Sequence, residues 1–281
     1  MRRLGVVIAV ASGKGGTGKT TMAVALAQAV GGRLLDADVE TPNAHLFLNP
    51  VLSYEEKILR MIPVVEEERC SFCGRCKEIC RFKAITVLPG AVLTFPEMCH
   101  ACYGCLEVCP EGCIREGHAL VGWLYAGEGR GVELAYGALK IGEPMASPLI
   151  KALKKKFLSQ EKPNIIDCPP GTGCPMLTAV RGADFCLLVA EPTPFGLHDL
   201  RQALAAVRAL GVPTGVISNR AGRDYPELLN FIKNEGVPLL FQIPEDKKIA
   251  QACAQGRGLL DVYPDFKSPL KALYHKLAGA Q

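Results

Sequence analysis

The first 30 residues constrain the fold more than any other part of the chain. An apolar run, LGVVIAVA (4–11), leads into the glycine-rich SGKGGTGKTT (12–21), and the helical pattern TMAVALAQAV follows at once. Strand, glycine-rich turn, Lys-Thr and helix is the order of a phosphate-binding loop, whose backbone N–H groups favour negative charge. Although two arginines precede the apolar run as in a signal peptide, the loop follows directly, so we predict a strand and a cytoplasmic protein.

The loop predicts a bound ATP or ADP with Mg²⁺. Lys19 is placed to reach the β- and γ-phosphates, and Thr20 is placed to ligate Mg²⁺. The predicted nucleotide contacts within the loop are Gly13, Lys14, Gly15, Gly16, Thr17, Gly18, Lys19, Thr20 and Thr21.

Lys14 goes beyond the common loop. It gives the version KGGTGKT, which resembles the deviant Walker A loop of the MinD/Mrp/ParA ATPases and the nitrogenase iron protein. The resemblance implies that Lys14 crosses a dimer interface to the partner's nucleotide. We therefore expect an ATP-dependent homodimer, or a heterodimer with a paralogous ATPase.

The segment LLDADVETPN (34–43) extends this resemblance. Alternation in a strand puts Asp36 and Asp38 on the same face. The resemblance implies that Asp38 positions or activates the attacking water, so the catalytic residues would be Lys14, Lys19 and Asp38. It also implies that Asp36 and Asp38 support Mg²⁺. The alternative is a pair of aspartates in a turn at the strand end.

Two later segments look like other parts of the same family. NIIDCPPGTG (164–173) resembles the Walker B strand and switch II, so Asp167 would bind Mg²⁺ through water and Gly171 would lie near the γ-phosphate. Asn219 and the turn residues Pro244 and Glu245 match elements that hold the base in relatives. Asn and Pro are also common turn formers at strand ends.

The rest of the chain alternates between strands and helices. Strands are predicted near 184–191, 214–218 and 239–243, and helices near 196–210, 225–235 and 246–256. This alternation predicts an α/β fold with a doubly wound, mostly parallel sheet. The ATPase domain would comprise residues 1–49 and 145–281, which is the part that the resemblance covers.

Nine of the 13 cysteines lie in residues 70–113. Two runs share the spacing C-x₂-C-x₂-C-x₃-C, which is that of bacterial ferredoxins with two clusters, where the fourth cysteine of each run ligates the other cluster. We therefore assign one 4Fe–4S cluster to Cys70, Cys73, Cys76 and Cys109, and the other to Cys80, Cys99, Cys102 and Cys105. Zinc is the alternative, but zinc ribbons use cysteine pairs with a long gap.

These runs predict an α+β, ferredoxin-like insert at residues 50–117. The stretch 118–144 alternates and turns through GEGRG, so we predict a β-hairpin that connects the insert to the ATPase body. Cys113 is predicted to be a small buried residue. Cys174 matches a cysteine that ligates the bridging cluster of the nitrogenase iron protein, and we expect it to bind no iron in the monomer.

Charge and hydropathy argue against other functions. The net charge of +4 gives no argument for nucleic acid, and the run KALKKKF (151–157) is predicted to be the solvated face of a helix. No apolar stretch is long enough to span a bilayer. Membrane association is not expected either, because Leu270, Leu273, Tyr274 and Leu277 predict a packed terminal helix.

Three functions fit these motifs. In the first, ATP binding and hydrolysis control electron transfer through the two clusters to an unidentified redox partner. In the second, the protein is an iron–sulfur carrier or assembly factor of the Mrp type, in which ATP drives the assembly or release of clusters. In the third, it is a positioning switch like MinD or ParA, and the clusters serve only for docking.

Overall fold

A computed structural model describes residues 5–222 and 225–279. Position 4, the start of the first predicted strand, lies outside the described residues. So do positions 1–3, 223–224 and 280–281 of the predicted ATPase domain. The described strands are β1 (Val7–Ala11), β2 (Arg33–Asp36), β3 (Val51–Val65), β4 (Ile85–Leu88), β5 (Ala91–Thr94), β6 (Ile114–Gly129), β7 (Val132–Leu139), β8 (Asn164–Asp167), β9 (Phe185–Ala190), β10 (Thr214–Ala221) and β11 (Leu239–Pro244).

The described helices alternate with most of these strands. They are α1 (Lys19–Val30), α2 (Ala44–Leu48), α3 (Arg75–Ile79), α4 (Gly104–Glu107), α5 (Ser147–Phe157), α6 (Cys174–Val180), α7 (Pro194–Arg208), α8 (Pro226–Asn234), α9 (Lys247–Ala254), α10 (Leu259–Val262) and α11 (Lys267–Gly279). None of the helices described is both long and apolar enough to cross a membrane.

Over the described residues, the main sheet has nine strands in the order β11-β10-β9-β1-β8-β2-β7-β6-β3. Strands β11 to β7 in this order pair in parallel, whereas β6 and β3 are antiparallel to their neighbours. This confirms the predicted α/β class with a mostly parallel sheet. The central strands are apolar on both sides because helices cover both faces of the sheet.

The terminal helix α11 packs on one of these two covered faces. Leu270, Leu273, Tyr274 and Leu277 are all buried in the core that includes α1. Their spacing places them on one side of the helix, as the sequence predicted.

Two long strands lead from the main sheet to the cysteine segment. The β3–β6 ladder runs from the pair Val51–Glu128 to the pair Val65–Ile114, and β6 pairs with β7 only from Gly122 onwards. The ladder therefore extends past the parallel strands. Its far end carries residues 66–113, which contain the β4–β5 hairpin and the short helices α3 and α4.

This arrangement differs from the predicted boundaries. Residues 51–65, expected within the insert, form a strand of the main sheet, and the first strand of the predicted hairpin begins at Ile114 rather than near 118. The hairpin turn itself lies at Arg130 and Gly131, and both have positive φ, as a two-residue hairpin turn requires. The division into separate domains stays a prediction.

Candidate nucleotide and cysteine sites

The phosphate loop joins β1 to α1 and is held close to the carboxyl end of β10. Gly16 and Gly18 adopt φ of 78° and 91°, a region that favours glycine. A Cβ on Gly18 would lie 2.3 Å from Nδ2 of Asn219, and this Nδ2 donates a hydrogen bond to the carbonyl oxygen of Thr17 at 2.7 Å. Asn219 thus holds the phosphate loop against the end of β10.

Several predicted nucleotide contacts line one cavity of about 390 Å³ beside the loop. Its walls include the predicted residues Gly16, Gly18, Thr21, Asn219, Pro244 and Glu245. The ends of the parallel strands β10 and β11 meet there, which is where such sheets bind ligands. Sequence reasoning missed Arg220 and Cys253, which line the same cavity.

Three charged side chains converge at the ends of β2 and β8, below the loop. Lys19 is buried at the first residue of α1, and Asp36 and Asp167 are register partners in adjacent strands. Burial raises the pKa of Asp167 well above its usual value, and the neighbouring Asp36 carboxylate raises it further. Burial also raises the pKa of Asp38, which the charge of Lys19 opposes. The site thus holds several desolvated carboxyl groups, whose charged forms a bound cation would favour.

Asp167 is suited to hold a cation together with Thr20. The hydroxyl of Thr20 donates to Oδ2 of Asp167 at 2.5 Å, while Oδ1 of Asp167 is buried without a hydrogen-bond partner. Carboxylate and hydroxyl oxygens are the donors that Mg²⁺ prefers. A cation here would satisfy the orphan oxygen and offset the burial of the carboxylate, so these residues fit Mg²⁺.

Asp36 organises the segment that carries Asp38. Its Oδ1 accepts from the backbone N–H of Asp38 at 3.1 Å, and its Oδ2 accepts from Asn43 and Ala44 at 2.9 and 3.0 Å. These bonds oppose the effect of burial, which raises the pKa of Asp36 to about 6. Both carboxylate oxygens are therefore used in shaping residues 37–44, a role that the sequence did not indicate.

Two further predicted residues lie at the edge of the loop. Gly171 has a φ of 88°, and its N–H donates to the carbonyl oxygen of Ser12 at 3.2 Å. The side chain of Lys14 instead lies near two acids that sequence reasoning missed. Its Nζ is 3.8 Å from Oε2 of Glu191 and 3.9 Å from Oδ2 of Asp199.

The eight predicted cluster cysteines line two separate cavities. One cavity contains Cys70, Cys73, Cys76 and Cys109, and the other contains Cys80, Cys99, Cys102 and Cys105. Each cavity thus takes three cysteines from one run and the fourth from the other run. We refer to them as site 1 and site 2. Apolar residues such as Val92 at site 1 and Ile85 at site 2 complete the walls.

Within the described parts of the chain, no group of three or more His, Cys, Asp or Glu side chains is arranged to hold a metal ion. The four thiolates of a cubane each bind a different iron, so they stand farther apart than the ligands of one ion. Cysteine thiols with apolar residues around them are the donor chemistry of 4Fe–4S clusters, and that clusters bind at the two sites stays a prediction.

Two other cysteines occupy distinct positions. Cys113 is buried and lines site 1, with its Sγ 3.5 Å from Sγ of Cys109. Burial, together with hydrogen bonds to Cys109 and Cys70, raises the pKa of Cys113 to about 12. Cys174 is exposed at the start of α6, far along the chain from both sites.

Comparison with known proteins gives the family. The family model of the CobQ/CobB/MinD/ParA nucleotide binding domain matches residues 8–260. The chain belongs to this family. It is 30% identical over 289 residues to the uncharacterized protein MJ0578 of Methanocaldococcus jannaschii, covering 99% of each chain. It is also 30% identical over 275 residues to MJ0579 of the same organism, covering 95% of this chain and 96% of that protein.

More distant similarities concern a plant protein and a solved structure. The chloroplastic Fe–S cluster assembly factor HCF101 of Arabidopsis thaliana is 26% identical over 267 aligned positions, and the alignment covers 87% of this chain and 39% of the plant protein. The cell division ATPase MinD of Pyrococcus furiosus superposes with a TM-score of 0.59 at 22% identity, covering 98% of this chain and 100% of that one. This likeness supports the fold alone.

Proposed function

We propose that this protein is an ATP-hydrolysing dimer whose nucleotide state is coupled to electron transfer through two 4Fe–4S clusters. One observation supports this most directly. The two cysteine quartets line separate cavities at the end of a ladder that is continuous with the sheet carrying the nucleotide site. A complete set of four thiolates favours a cluster that is retained and can change its oxidation state.

The chain's own residues account for the nucleotide chemistry. Lys19 provides a buried positive charge at the helix N-terminus, where phosphates bind. Thr20 and Asp167 are the proposed Mg²⁺ holders, and Mg²⁺ when bound would neutralise charge on the phosphates. Asp38 would orient the attacking water, because Asp36 fixes the backbone of its segment. Lys14 would act in the partner's site once a dimer forms.

Cluster binding would use the quartets as the cavities group them. Site 1 would be held by Cys70, Cys73, Cys76 and Cys109, and site 2 by Cys80, Cys99, Cys102 and Cys105. The clusters would supply one-electron transfer, and the surrounding hydrogen bonds and solvent exposure would set their potentials.

The test is a redox titration of anaerobically prepared protein, monitored by electron paramagnetic resonance, without nucleotide, with ADP and with a non-hydrolysable ATP analogue. A typical coupling of about 1–3 kcal/mol predicts a shift of roughly 40–130 mV in at least one potential. By reciprocity, reduction should change ATP affinity by the matching factor, about 5–150-fold. Lys19→Ala, which should not bind nucleotide, is the control. Potentials that do not respond to the analogue would refute the coupling.

A second candidate is an ATP-dependent iron–sulfur carrier. It is favoured by the similarity to the assembly factor HCF101. A carrier should pass its iron to an apo-ferredoxin faster with ATP than with ADP, whereas the redox-linked protein should keep its iron through repeated hydrolysis. Iron content after mixing with an apo-ferredoxin therefore separates the two functions.

A further inference from the structure

Arg60 is a buried arginine in the middle of β3 with partners in two different parts of the chain. Its Nη1 donates to the carbonyl oxygen of Cys99 at 3.0 Å, and its Nη2 donates to the carbonyl oxygen of Pro96 at 2.8 Å. The same Nη2 lies 3.3 Å from Oε2 of Glu143. Only 5% of the Arg60 side chain and 6% of the Glu143 side chain are exposed, so water screens this ion pair little.

Glu143 belongs to the segment that follows β7. Its N–H donates to the carbonyl oxygen of Lys140 at 3.0 Å, and its Oε1 accepts from the N–H of Met145 at 3.3 Å. The carboxylate is therefore fixed on both sides, by its own turn and by Arg60. A displacement of this turn would displace the guanidinium.

The last residue of β7, from which this segment continues, is bonded to the residue that follows Asp38. The N–H of Leu139 donates to the carbonyl oxygen of Val39 at 2.7 Å. Val39 is buried, and a Cβ on Gly137 would lie 2.6 Å from its Cγ1, so β7 packs tightly against it. The Asp38 segment and the segment after β7 are thus in direct contact.

We infer that Arg60 and Glu143 are positioning residues that link the Asp38 segment to site 2. The link has three contacts in series: Val39 with Leu139, Glu143 with Arg60, and Arg60 with the carbonyl of the site 2 cysteine Cys99. Among the described ion pairs, Arg60 with Glu143 is the one that involves the segment after β7. The described pairs beside site 1, Arg69 and Arg115 with Glu66, do not involve it. The inference rests on the proposed coupling and assigns it to site 2.

The decisive variant is Glu143→Gln. It keeps the shape of the side chain but removes the charge that holds Arg60, while Arg60 keeps its bonds to Cys99 and Pro96. Arg60→Lys is the second variant, because a single ammonium keeps the positive charge but lacks the fork that contacts three acceptors. Glu56→Gln is the control. Glu56 lies on the same strand as Arg60 but pairs with Lys156 of α5, away from the cysteines, and the change removes the same charge.

Two measurements on anaerobically prepared protein test the link. The first is hydrogen exchange of the backbone amides of residues 97–102 with ADP and with a non-hydrolysable ATP analogue. In the wild type and in Glu56→Gln the analogue should change their exchange, and in Glu143→Gln and Arg60→Lys at least half of that change should disappear. The second is the potential of each site, where the nucleotide-dependent shift should fall on site 2 and be reduced in the same two variants.

The outcomes separate the inference from the proposed function. If Glu143→Gln and Arg60→Lys keep the full wild-type response at residues 97–102, or if the shift in potential falls on site 1 alone, the link is wrong although the coupling survives. If the wild-type potentials do not respond to nucleotide at all, the coupling itself is wrong. If one of the two variants, Glu143→Gln or Arg60→Lys, loses iron or nucleotide affinity, the other variant decides.

Discussion

Substitution of Asp199 tests whether Lys14 is restrained in the monomer. Lys14 lies within 4 Å of the carboxylates of Glu191 and Asp199, and its side chain is 37% exposed. In the proposed dimer, Lys14 must leave both carboxylates before it can reach the partner's nucleotide. Glu191 also pairs with Arg220 at 2.8 Å, so Asp199→Asn is the cleaner change, since it removes one restraint and keeps the shape of the side chain.

The expected gain in dimer stability follows from how exposed the ion pair of Lys14 with Asp199 is. Ion pairs that are partly solvated contribute about 0.2–1 kcal/mol each. A homodimer releases two copies of Lys14, so the free energy of dimerisation should improve by about 0.4–2 kcal/mol, which is roughly a 2- to 30-fold tighter dimer. The gain should shrink at high salt, because the restraint is electrostatic.

The assay is sedimentation equilibrium over a range of protein concentrations with a non-hydrolysable ATP analogue, at low and high salt. Glu235→Gln is the control, because it removes the same charge from an ion pair with Arg208 at the far end of α7. A dimer of Asp199→Asn no tighter than the wild type would refute the restraint. An equal gain in dimer affinity for Glu235→Gln would show that the effect comes from the change in net charge and not from the release of Lys14.

Three further predictions concern single residues. Lys19→Ala should abolish nucleotide binding in calorimetry, whereas Lys14→Ala should bind ADP nearly as the wild type does but fail to dimerise; normal dimerisation of Lys14→Ala would contradict its role in trans. Cys109→Ala should reduce iron from about eight to about four per chain and remove the spectrum of site 1, and Cys80→Ala should remove that of site 2. If Cys109→Ala removed site 2 and Cys80→Ala removed site 1, each cluster would take all four of its cysteines from one run. Cys113→Ala should keep about eight iron atoms by chemical analysis, because the two runs already supply four cysteines to each site without Cys113; loss of iron would make Cys113 a ligand.

Local chemistry made much of the fold predictable. The strand, glycine loop and helix at 4–30 are adjacent in sequence, and the alternation of the later strands fixes a parallel sheet whose carboxyl ends meet. That rule alone brings Asn219, Pro244 and Glu245 to the phosphate loop, as the structure shows. The two cavities group the eight cysteines as the spacing predicts, with Cys113 in addition at site 1, and cluster binding by these groups stays a prediction.

What could not be predicted depends on pairing between distant segments. β3 is an edge strand that contains Pro63, and its ladder partner β6 begins only after the cysteine segment, so local pattern did not place it in the main sheet. Lys154 was expected to face water within the run of lysines. Instead its Nζ donates to the carbonyl oxygens of Thr178, Ala179 and Arg181, at the end of α6. Such acceptors are invisible until the helices are packed.

The pairing of Val65 with Ile114 has a consequence for how the protein matures. The two ends of the cysteine segment are neighbours in the last rung of a ladder, and one more bond, from the N–H of Glu66 to the carbonyl oxygen of Cys113 at 2.8 Å, lies beyond it. The ATPase sheet can therefore close without the order of residues 67–112, which have only a small core of their own. We expect iron-free protein to bind ADP normally while trypsin cuts it within this segment, and to become resistant there after iron loading. The ATPase sheet would then fold first, and the clusters would bind to a protein that is already folded outside residues 67–112. Cleavage that is unaffected by iron would contradict this order of folding and cluster binding.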